Sequence, residues 1–225
     1  MRAMLAWSGG KDSAWALHLL RQRGVEVAGL FATVDEATER VPIHEVGTEF
    51  IAQQAEAASL ALHTLPLPSN CPNAIYESVL AEFTSRAKGG GTTHLAFGDL
   101  FLEDIRRYRE RQFAASGLQL LFPLWGMPTR ALAEQMTESG LRAWITSVDT
   151  TQAPEEWAGR VFDRQFVKEI PAKVDPCGEN GEFHTFVFRG PMFARALATR
   201  PGRLWRDERW AYADILHSEG DPVPA

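Results

Sequence analysis

The chain has 225 residues, of which 45% are hydrophobic, and a formal net charge of -6 at pH 7. This length suffices for one sizeable core or for a core domain with a smaller companion, and the negative charge disfavours nucleic acid as a partner despite a basic cluster at 106–111. No apolar run approaches the ~18 residues of a membrane span and no signal-type segment precedes the polar residues, so we expect a cytoplasmic protein without a membrane partner.

Short apolar runs alternate with helical patterns over residues 1–125, which is typical of a parallel sheet wrapped by helices. The sequence predicts strands at 4–7, 25–33, 64–67, 93–99 and 118–123. It predicts helices between them at 13–23, 48–62, 73–88 and 102–116, and Gly24 closes the first helix. This order predicts a doubly wound α/β fold with a five-stranded parallel sheet, whose ligand crevice lies outside the carboxyl ends of the strands.

The pattern changes after residue 125, where we predict a smaller α+β domain. It contains one further helix, a strand at 142–148, a polar helix near 154–168 and the segment DPCGENGEFHTFVFRGP at 175–191. The glycines and prolines of that segment indicate ordered turns, because strand residues follow them directly. The predicted domains are therefore 1–125 and 126–225, with a loose tail at 220–225.

The first predicted strand leads into SGGKDS, residues 8–13. This is not a Walker A loop, because Leu5 and Asp12 occupy the first glycine position and the hydroxyl position, and it does not supply the glycine spacing of a dinucleotide fold. Its glycines expose backbone N–H groups at the positive end of a helix, and Lys11 adds a mobile cation on an exposed loop. We interpret the stretch as a pyrophosphate seat, with a plain glycine-rich turn as the alternative.

The SGGKDS stretch resembles the PP-loop of the ATP pyrophosphatases, which split ATP between its α and β phosphates. FGDLFLEDIRRYRE at 97–110, FPLWG at 122–126 and the segment 175–191 narrow the resemblance to the diphthine-ammonia ligase family, over residues 4 to about 193. The resemblance implies a nucleotide α-hydrolase domain of the HUP type with parallel strand order 3-2-1-4-5, followed by a smaller family-specific domain.

The resemblance also implies a nucleotide site. Phosphates would bind along the loop, with Lys11 on the leaving pyrophosphate, at Ser8, Gly9, Gly10, Lys11, Asp12 and Ser13. Adenine would lie at the end of the second strand, at Phe31, Ala32 and Thr33. The fourth strand ends at Gly98 and Asp99, and we expect Asp99 to hold Mg²⁺, with a helix N-cap as the alternative. Glu103 is a candidate substrate contact, with helix-face ion pairing as the alternative.

A second concentration of polar chemistry is CGENGEFHT, where Glu179, Asn180, Glu182 and His184 fall within six residues. We predict substrate recognition and proton transfer here, with Glu182 and His184 acting as one unit because alternation along a strand places them on one face. The alternatives are a loop stabilised by its own side chains and, less favoured, a zinc site using Cys177. Both cysteines are expected to be free thiols, and the other histidines, including His44, are expected to be structural or surface residues.

The chemistry implied by the resemblance is adenylation of a carboxylate by ATP, with release of pyrophosphate, followed by attack of ammonia to give an amide and AMP. In the family the acceptor is diphthine, a modified histidine of translation elongation factor 2. Free ammonium is the expected nitrogen donor, since no glutaminase nucleophile is present. The alternatives are another acid such as a cobalamin-related carboxylate, a transfer-RNA thiolase, and a nucleotide-binding sensor without turnover. The oligomeric state is left open.

Overall fold

The computed structural model describes residues 1–218, and the predicted tail at 220–225 lies outside them. The first half contains seven strands and four helices in the following order: β1 (Arg2–Ala6), α1 (Lys11–Gln22), β2 (Glu26–Asp35), β3 (Arg40–Val41), β4 (Val46–Gly47), α2 (Thr48–Ala57), β5 (Leu62–Leu67), α3 (Asn73–Gly89), β6 (His94–Ala96), α4 (Glu103–Phe113) and β7 (Gln119–Leu121).

Five of these strands form a parallel sheet, sheet A, in which β1 pairs with β2 and β6, β5 pairs with β2, and β7 pairs with β6. The predicted α/β architecture is confirmed, because each predicted parallel strand overlaps an observed one. The short antiparallel hairpin β3–β4, which extends the end of β2 at the Asp35–Arg40 pair, was not predicted. Its strands are two residues long and show no usable periodicity.

The second half forms an antiparallel sheet, sheet B, with strand order β10-β8-β12-β11 and β9 beside β8. Its elements are α5 (Thr129–Glu138), β8 (Arg142–Asp149), β9 (Val161–Phe162), α6 (Arg164–Glu169), β10 (Phe183–Arg189), β11 (Thr199–Arg206) and β12 (Trp210–His217). The predicted polar helix near 154–168 is wrong, because Gly159 adopts a φ of +81° and divides the segment into a 3₁₀ turn, β9 and α6. The β11–β12 hairpin was not predicted.

Apolar side chains from both sheets meet in one core cluster, which joins Leu5 and Leu17 of the first half to Ile145 and Phe186 of the second. A separate aromatic cluster lies between sheet A and helices α3 and α4. The domain boundary at residue 125 stays a prediction. Over the described range, helices long and apolar enough to cross a membrane are absent.

Candidate active site

A cavity of about 440 Å³ opens at the carboxyl ends of β1, β2 and β6, where parallel sheets commonly bind ligands. Its wall includes many of the residues predicted from the sequence: Ser8, Asp12, Ser13, Phe31, Ala32, Thr33, Gly98, Asp99, Glu179 and His184. Apolar side chains of α3, α4 and the aromatic cluster line the side beside Phe31, including Tyr76, Leu80, Phe97 and Phe113. The cavity therefore combines a polar end at the SGGKDS loop with an aromatic end.

Close backbone packing explains two glycines of the site. Gly9 has a φ of +80°, a backbone conformation that residues other than glycine rarely adopt. A Cβ on Gly98 would lie 2.9 Å from the carbonyl carbon of Asp12, so the end of β6 can approach the loop only as glycine. Gly98 therefore sets the shape of the cavity wall, and Gly9 sets the path of the loop.

The loop ends at the first turn of α1, where helices carry unpaired N–H groups and a partial positive charge. Ser8 Oγ accepts a hydrogen bond from the Gly10 N–H at 3.2 Å, and Ser13 Oγ donates to the Gly10 carbonyl at 2.9 Å. The Lys11 N–H donates to Thr185 Oγ1 of β10 at 3.0 Å. The N–H groups of Asp12 and Ser13 follow in the same turn, beside the cavity, in the arrangement that binds anions.

A buried amide side chain, that of Gln54 on α2, connects this loop to β10 of sheet B. Gln54 of α2 donates from Nε2 to the carbonyls of Gly9, at 2.9 Å, and Val187, at 2.7 Å. Its Oε1 accepts from the Trp7 indole at 2.8 Å. The Val187 N–H donates in turn to the Gly9 carbonyl at 2.9 Å. The loop is therefore bonded to α2 and β10 as well as to its own helix.

Lys11 is buried, which overturns the expectation of a mobile cation on an exposed loop. Its side chain is 2% exposed, and Nζ donates to Asp12 Oδ2 at 2.9 Å and to the carbonyl of Cys177. It also lies over the ring of Phe183, 5.4 Å from the centroid. Burial alone would lower the pKa of the ammonium, but the Asp12 carboxylate together with Cys177 and Glu179 offsets burial and raises the pKa. Lys11 is therefore a charged link to segment 175–182 behind the cavity wall.

Asp12 and Glu179 bring two carboxyl groups to the cavity. Asp12 Oδ1 is buried and has no hydrogen-bond partner among residues 1–218, and burial raises the pKa of this carboxyl. Glu179 Oε1 accepts from the Leu100 N–H at 2.8 Å. Burial raises the pKa of Glu179 to about 7, and the nearby Asp12 contributes in the same direction. Glu179 is thus poised to gain or lose a proton near neutral pH.

Asp99 lines the cavity but its carboxylate is already paired. Arg109 Nε donates to Oδ2 at 2.6 Å and Arg109 Nη2 to Oδ1 at 3.3 Å. The alternative role as a helix N-cap is wrong, because α4 is preceded by Leu102 as its N-cap and has no side-chain cap. Within the described residues, no three His, Cys, Asp or Glu side chains are grouped to hold a metal, which gives no support to the zinc alternative.

Glu182 and Asn180 serve the turn rather than the cavity. Glu182 is 3% exposed, Oε1 accepts from the Asp175 N–H at 3.0 Å, and Oε2 accepts from the Asn180 N–H at 3.0 Å. The Asn180 side chain also donates to Glu182, at 3.1 Å. The prediction that Glu182 and His184 act as one unit gains no support, because the carboxylate accepts hydrogen bonds from backbone N–H groups of its own loop. The alternative of a self-stabilised loop fits Glu182.

Two histidines meet in the cavity wall, and one of them was missed. The His184 ring of β10 lies 4.9 Å from the ring of His44, which is carried by the β3–β4 hairpin. His44 was expected to be structural or surface, since nothing in the sequence near it indicates that the hairpin folds over the loop. Burial lowers the pKa of His44 to about 4, and burial and His44 together lower the pKa of His184. Burial therefore favours the neutral form of both rings.

Glu103 stands outside this constellation. It is exposed at the start of α4 and is not among the residues of the cavity wall. Helix-face ion pairing is seen at the neighbouring Arg106, which pairs with Glu110 at 2.9 Å, but Glu103 itself forms no ion pair with another described residue. Both cysteines are free thiols, as predicted, and Cys177 is buried behind Lys11.

Comparison with known proteins gives matches over most of the chain. The models for the diphthamide synthase N-terminal domain and the diphthamide synthase C-terminal domain match residues 1–120 and 128–219. A crystal structure described as a predicted subunit of tRNA methyltransferase from Methanocaldococcus jannaschii is similar at 17% identity and a TM-score of 0.43, covering 75% of this chain and 87% of that one. No curated protein matches.

Proposed function

Because the chain belongs to the diphthamide synthase family, we propose that it is an ATP-dependent amide ligase, which adenylates a carboxylate and then transfers ammonia to it. Membership of the family makes it an ATP-using enzyme of the PP-loop class. The ligase reaction is what we propose beyond that membership. The observation that carries this step is the SGGKDS loop in one cavity with Glu179, a carboxyl group able to exchange a proton near neutral pH.

ATP would lie along the cavity from its aromatic end to its polar end. The adenine ring would pack at Phe31, Ala32 and Thr33, and the phosphates would bind the N–H groups and hydroxyls of the loop. The parallel pairings, which place β5, β2, β1, β6 and β7 side by side, support the nucleotide α-hydrolase topology. In this orientation the α-phosphorus would lie between the loop and Glu179.

Mg²⁺ fits the site at Asp12, whose unpartnered Oδ1 is an oxygen ligand of the type that this ion prefers. Asp99 is a weaker candidate, because Arg109 holds both of its oxygens. When bound with ATP, the ion would offset negative charge on the phosphates. Lys11 could contact pyrophosphate only if it broke its hydrogen bonds to Asp12 and to the Cys177 carbonyl. We therefore propose that Lys11 orients the Asp12 carboxylate.

The reaction then has two steps. A carboxylate oxygen of the acceptor attacks the α-phosphorus and pyrophosphate leaves, which requires chiefly positioning and charge neutralisation by the loop. Ammonium next gives a proton to Glu179, and the ammonia formed attacks the acyl carbon of the adenylate. The C–N bond forms, the bond from carbon to the AMP oxygen breaks, and AMP leaves with the electron pair while the second proton passes to solvent.

Other functions have less support in the site. A transfer-RNA thiolase would need paired catalytic cysteines, whereas Cys177 is buried and Cys71 is not in the cavity wall. A nucleotide sensor without turnover would not need a proton-exchanging carboxyl beside the phosphates. The nature of the acid is a separate question, and diphthine on elongation factor 2 and free acids, including a cobalamin-related carboxylate, are the candidates to compare.

The experiment is a product analysis with each candidate acceptor, ATP, Mg²⁺ and ammonium chloride. We expect AMP and pyrophosphate in equal amounts together with the amide, and labelled pyrophosphate should exchange into ATP only when the correct acid is present. Ammonium alone should support the reaction, and glutamine should not replace it. Formation of ADP and phosphate would contradict the proposal, and so would exchange that is independent of any acid.

A further inference from the structure

We propose that His44 and His184 together form the binding site for ammonia, in which unprotonated imidazole nitrogens accept its N–H groups and leave its lone pair free. This inference rests on the proposed ligase function and deepens it, because it assigns the nitrogen substrate a place. His44 was expected to be a structural or surface residue and here contacts the substrate. His184 has a role different from that of a partner to Glu182.

The tautomer of His44 follows from its hydrogen bond. Its Nδ1 lies 3.1 Å from the Thr185 carbonyl oxygen, which can only accept, so Nδ1 carries the proton and Nε2 carries a lone pair. Nε2 has no hydrogen-bond partner among residues 1–218. The ring lies against the PP-loop, since a Cβ on Gly10 would be 2.8 Å from His44 Cε1. An acceptor atom is therefore placed beside the phosphate seat.

His184 completes the pair from β10 of sheet B. Its ring is 4.9 Å from that of His44 and 5.8 Å from that of Trp210, and neither of its nitrogens is hydrogen-bonded to another described residue. Both histidines line the cavity that contains Glu179. Their free nitrogens are thus available to a small ligand in the cavity, on the side of the phosphate loop.

These nitrogens can accept N–H groups from ammonium or ammonia, and the nearby positive charge of Lys11 favours the neutral molecule. Each neutral imidazole lone pair accepts an N–H group, and ammonia, unlike ammonium, keeps a lone pair for attack on carbon. Protonation would turn both rings into donors, but burial and the nearby Lys11 charge oppose it by lowering both pKa values. The rings therefore bind the nitrogen without competing for its proton, which Glu179 is placed to take.

The hairpin holds His44 at a local cost. Ile43, which precedes it, adopts a φ of +70°, and a β-branched residue rarely occupies this conformation. Ser147 Oγ donates to the Ile43 carbonyl at 2.9 Å, and Arg40 pairs with Asp214 of β12 at 3.3 Å. Strain of this kind persists where surrounding contacts impose it, often at functional sites. Here those contacts fix the imidazole against the loop.

The test observes the rings directly and needs neither ATP nor an acceptor. In protein labelled with ¹⁵N-histidine, ammonium chloride should shift the ring resonances of His44 and His184 with saturation, and potassium chloride at the same concentration should not. His44→Gln or His184→Gln should abolish the saturable shift of the remaining ring. His63→Gln is the matched control, because His63 lies on β5 outside this cavity, and it should leave the shifts unchanged.

A kinetic arm separates binding of nitrogen from adenylation. Both Gln variants should retain acid-dependent exchange of pyrophosphate into ATP while their KM for ammonium rises about tenfold or more. Absence of a saturable ammonium shift in the wild-type protein would overturn the inference even if amide is formed. Failure of every acceptor to give AMP, with the saturable shift present, would instead overturn the ligase function and leave the nitrogen site standing.

Discussion

Replacing Lys11 with Ala tests whether this lysine is a buried structural charge. The variant removes the only salt-bridge partner that the described residues give Asp12, and it leaves the Cys177 carbonyl without its donor. Removing one member of a buried ion pair costs 3–5 kcal/mol, and Asp12 is 28% exposed, so we take the lower end of about 3 kcal/mol. For a chain of this size, that corresponds to a fall in Tm of roughly 6–12 °C.

The assay is thermal and urea unfolding of the wild-type protein, Lys11→Ala, Asp12→Asn and the double variant. In the double variant no carboxylate charge is left unpaired, so it should be more stable than Lys11→Ala alone, and the cycle gives the coupling between the two residues. Lys88→Ala is the control, because its lysine is exposed on α3. An unchanged Tm for Lys11→Ala together with a large loss of activity would refute the argument and restore an exposed catalytic cation.

Four further predictions concern carboxylates of the site. Glu179→Gln should lower amide formation by about 10² or more while pyrophosphate exchange persists, and it should remove the rise in rate through pH 7 that the raised pKa of Glu179 predicts. Because that raised pKa also disfavours the ionised group in the folded state, wild-type stability should fall from about pH 4.5 to 7, and Glu179→Gln should lose this slope. Glu182→Gln should cost about 1–3 kcal/mol in urea unfolding through its lost N–H partners, and a variant of unchanged stability would contradict the turn role. Asp12→Asn should raise the Mg²⁺ concentration needed for activity more than Asp99→Asn does, and the reverse order would return the metal to Asp99.

The sequence alone predicted the structural features that depend on residues close together in the chain. The alternation of strands and helices in sheet A follows from local hydrophobic periodicity, and the SGGKDS loop is a contiguous stretch at a strand end. The bounds of α3, predicted as 73–88 and observed as Asn73–Gly89, show how well a long helical pattern fixes an element. Gly24, predicted to close α1, follows it at a φ of +70°.

The features missed depend on residues far apart in the chain. Lys11 contacts the Cys177 carbonyl 166 positions away, and His44 contacts the Thr185 carbonyl 141 positions away. Neither the burial of Lys11 nor the lowered pKa of His44 can be predicted from the residues next to them in the sequence. The role of Glu182 is ambiguous in the sequence for a different reason, since a carboxylate that accepts from backbone N–H groups and one that exchanges protons with a substrate have the same sequence signature.

The Gln54 amide has a consequence for how the molecule opens. Its single nitrogen donates to carbonyls on both sides of the boundary between the sheets, those of Gly9 and Val187, while its oxygen holds the Trp7 indole. Separation of the two halves would leave all of these buried groups without partners at the same time. Opening only part of this contact would therefore cost nearly as much free energy as separating the halves completely. Deuterium exchange of the protected amides of the nucleotide loop and of β10 should therefore give one common free energy of opening, and a fragment ending near residue 125 should carry the loop sequence without its conformation.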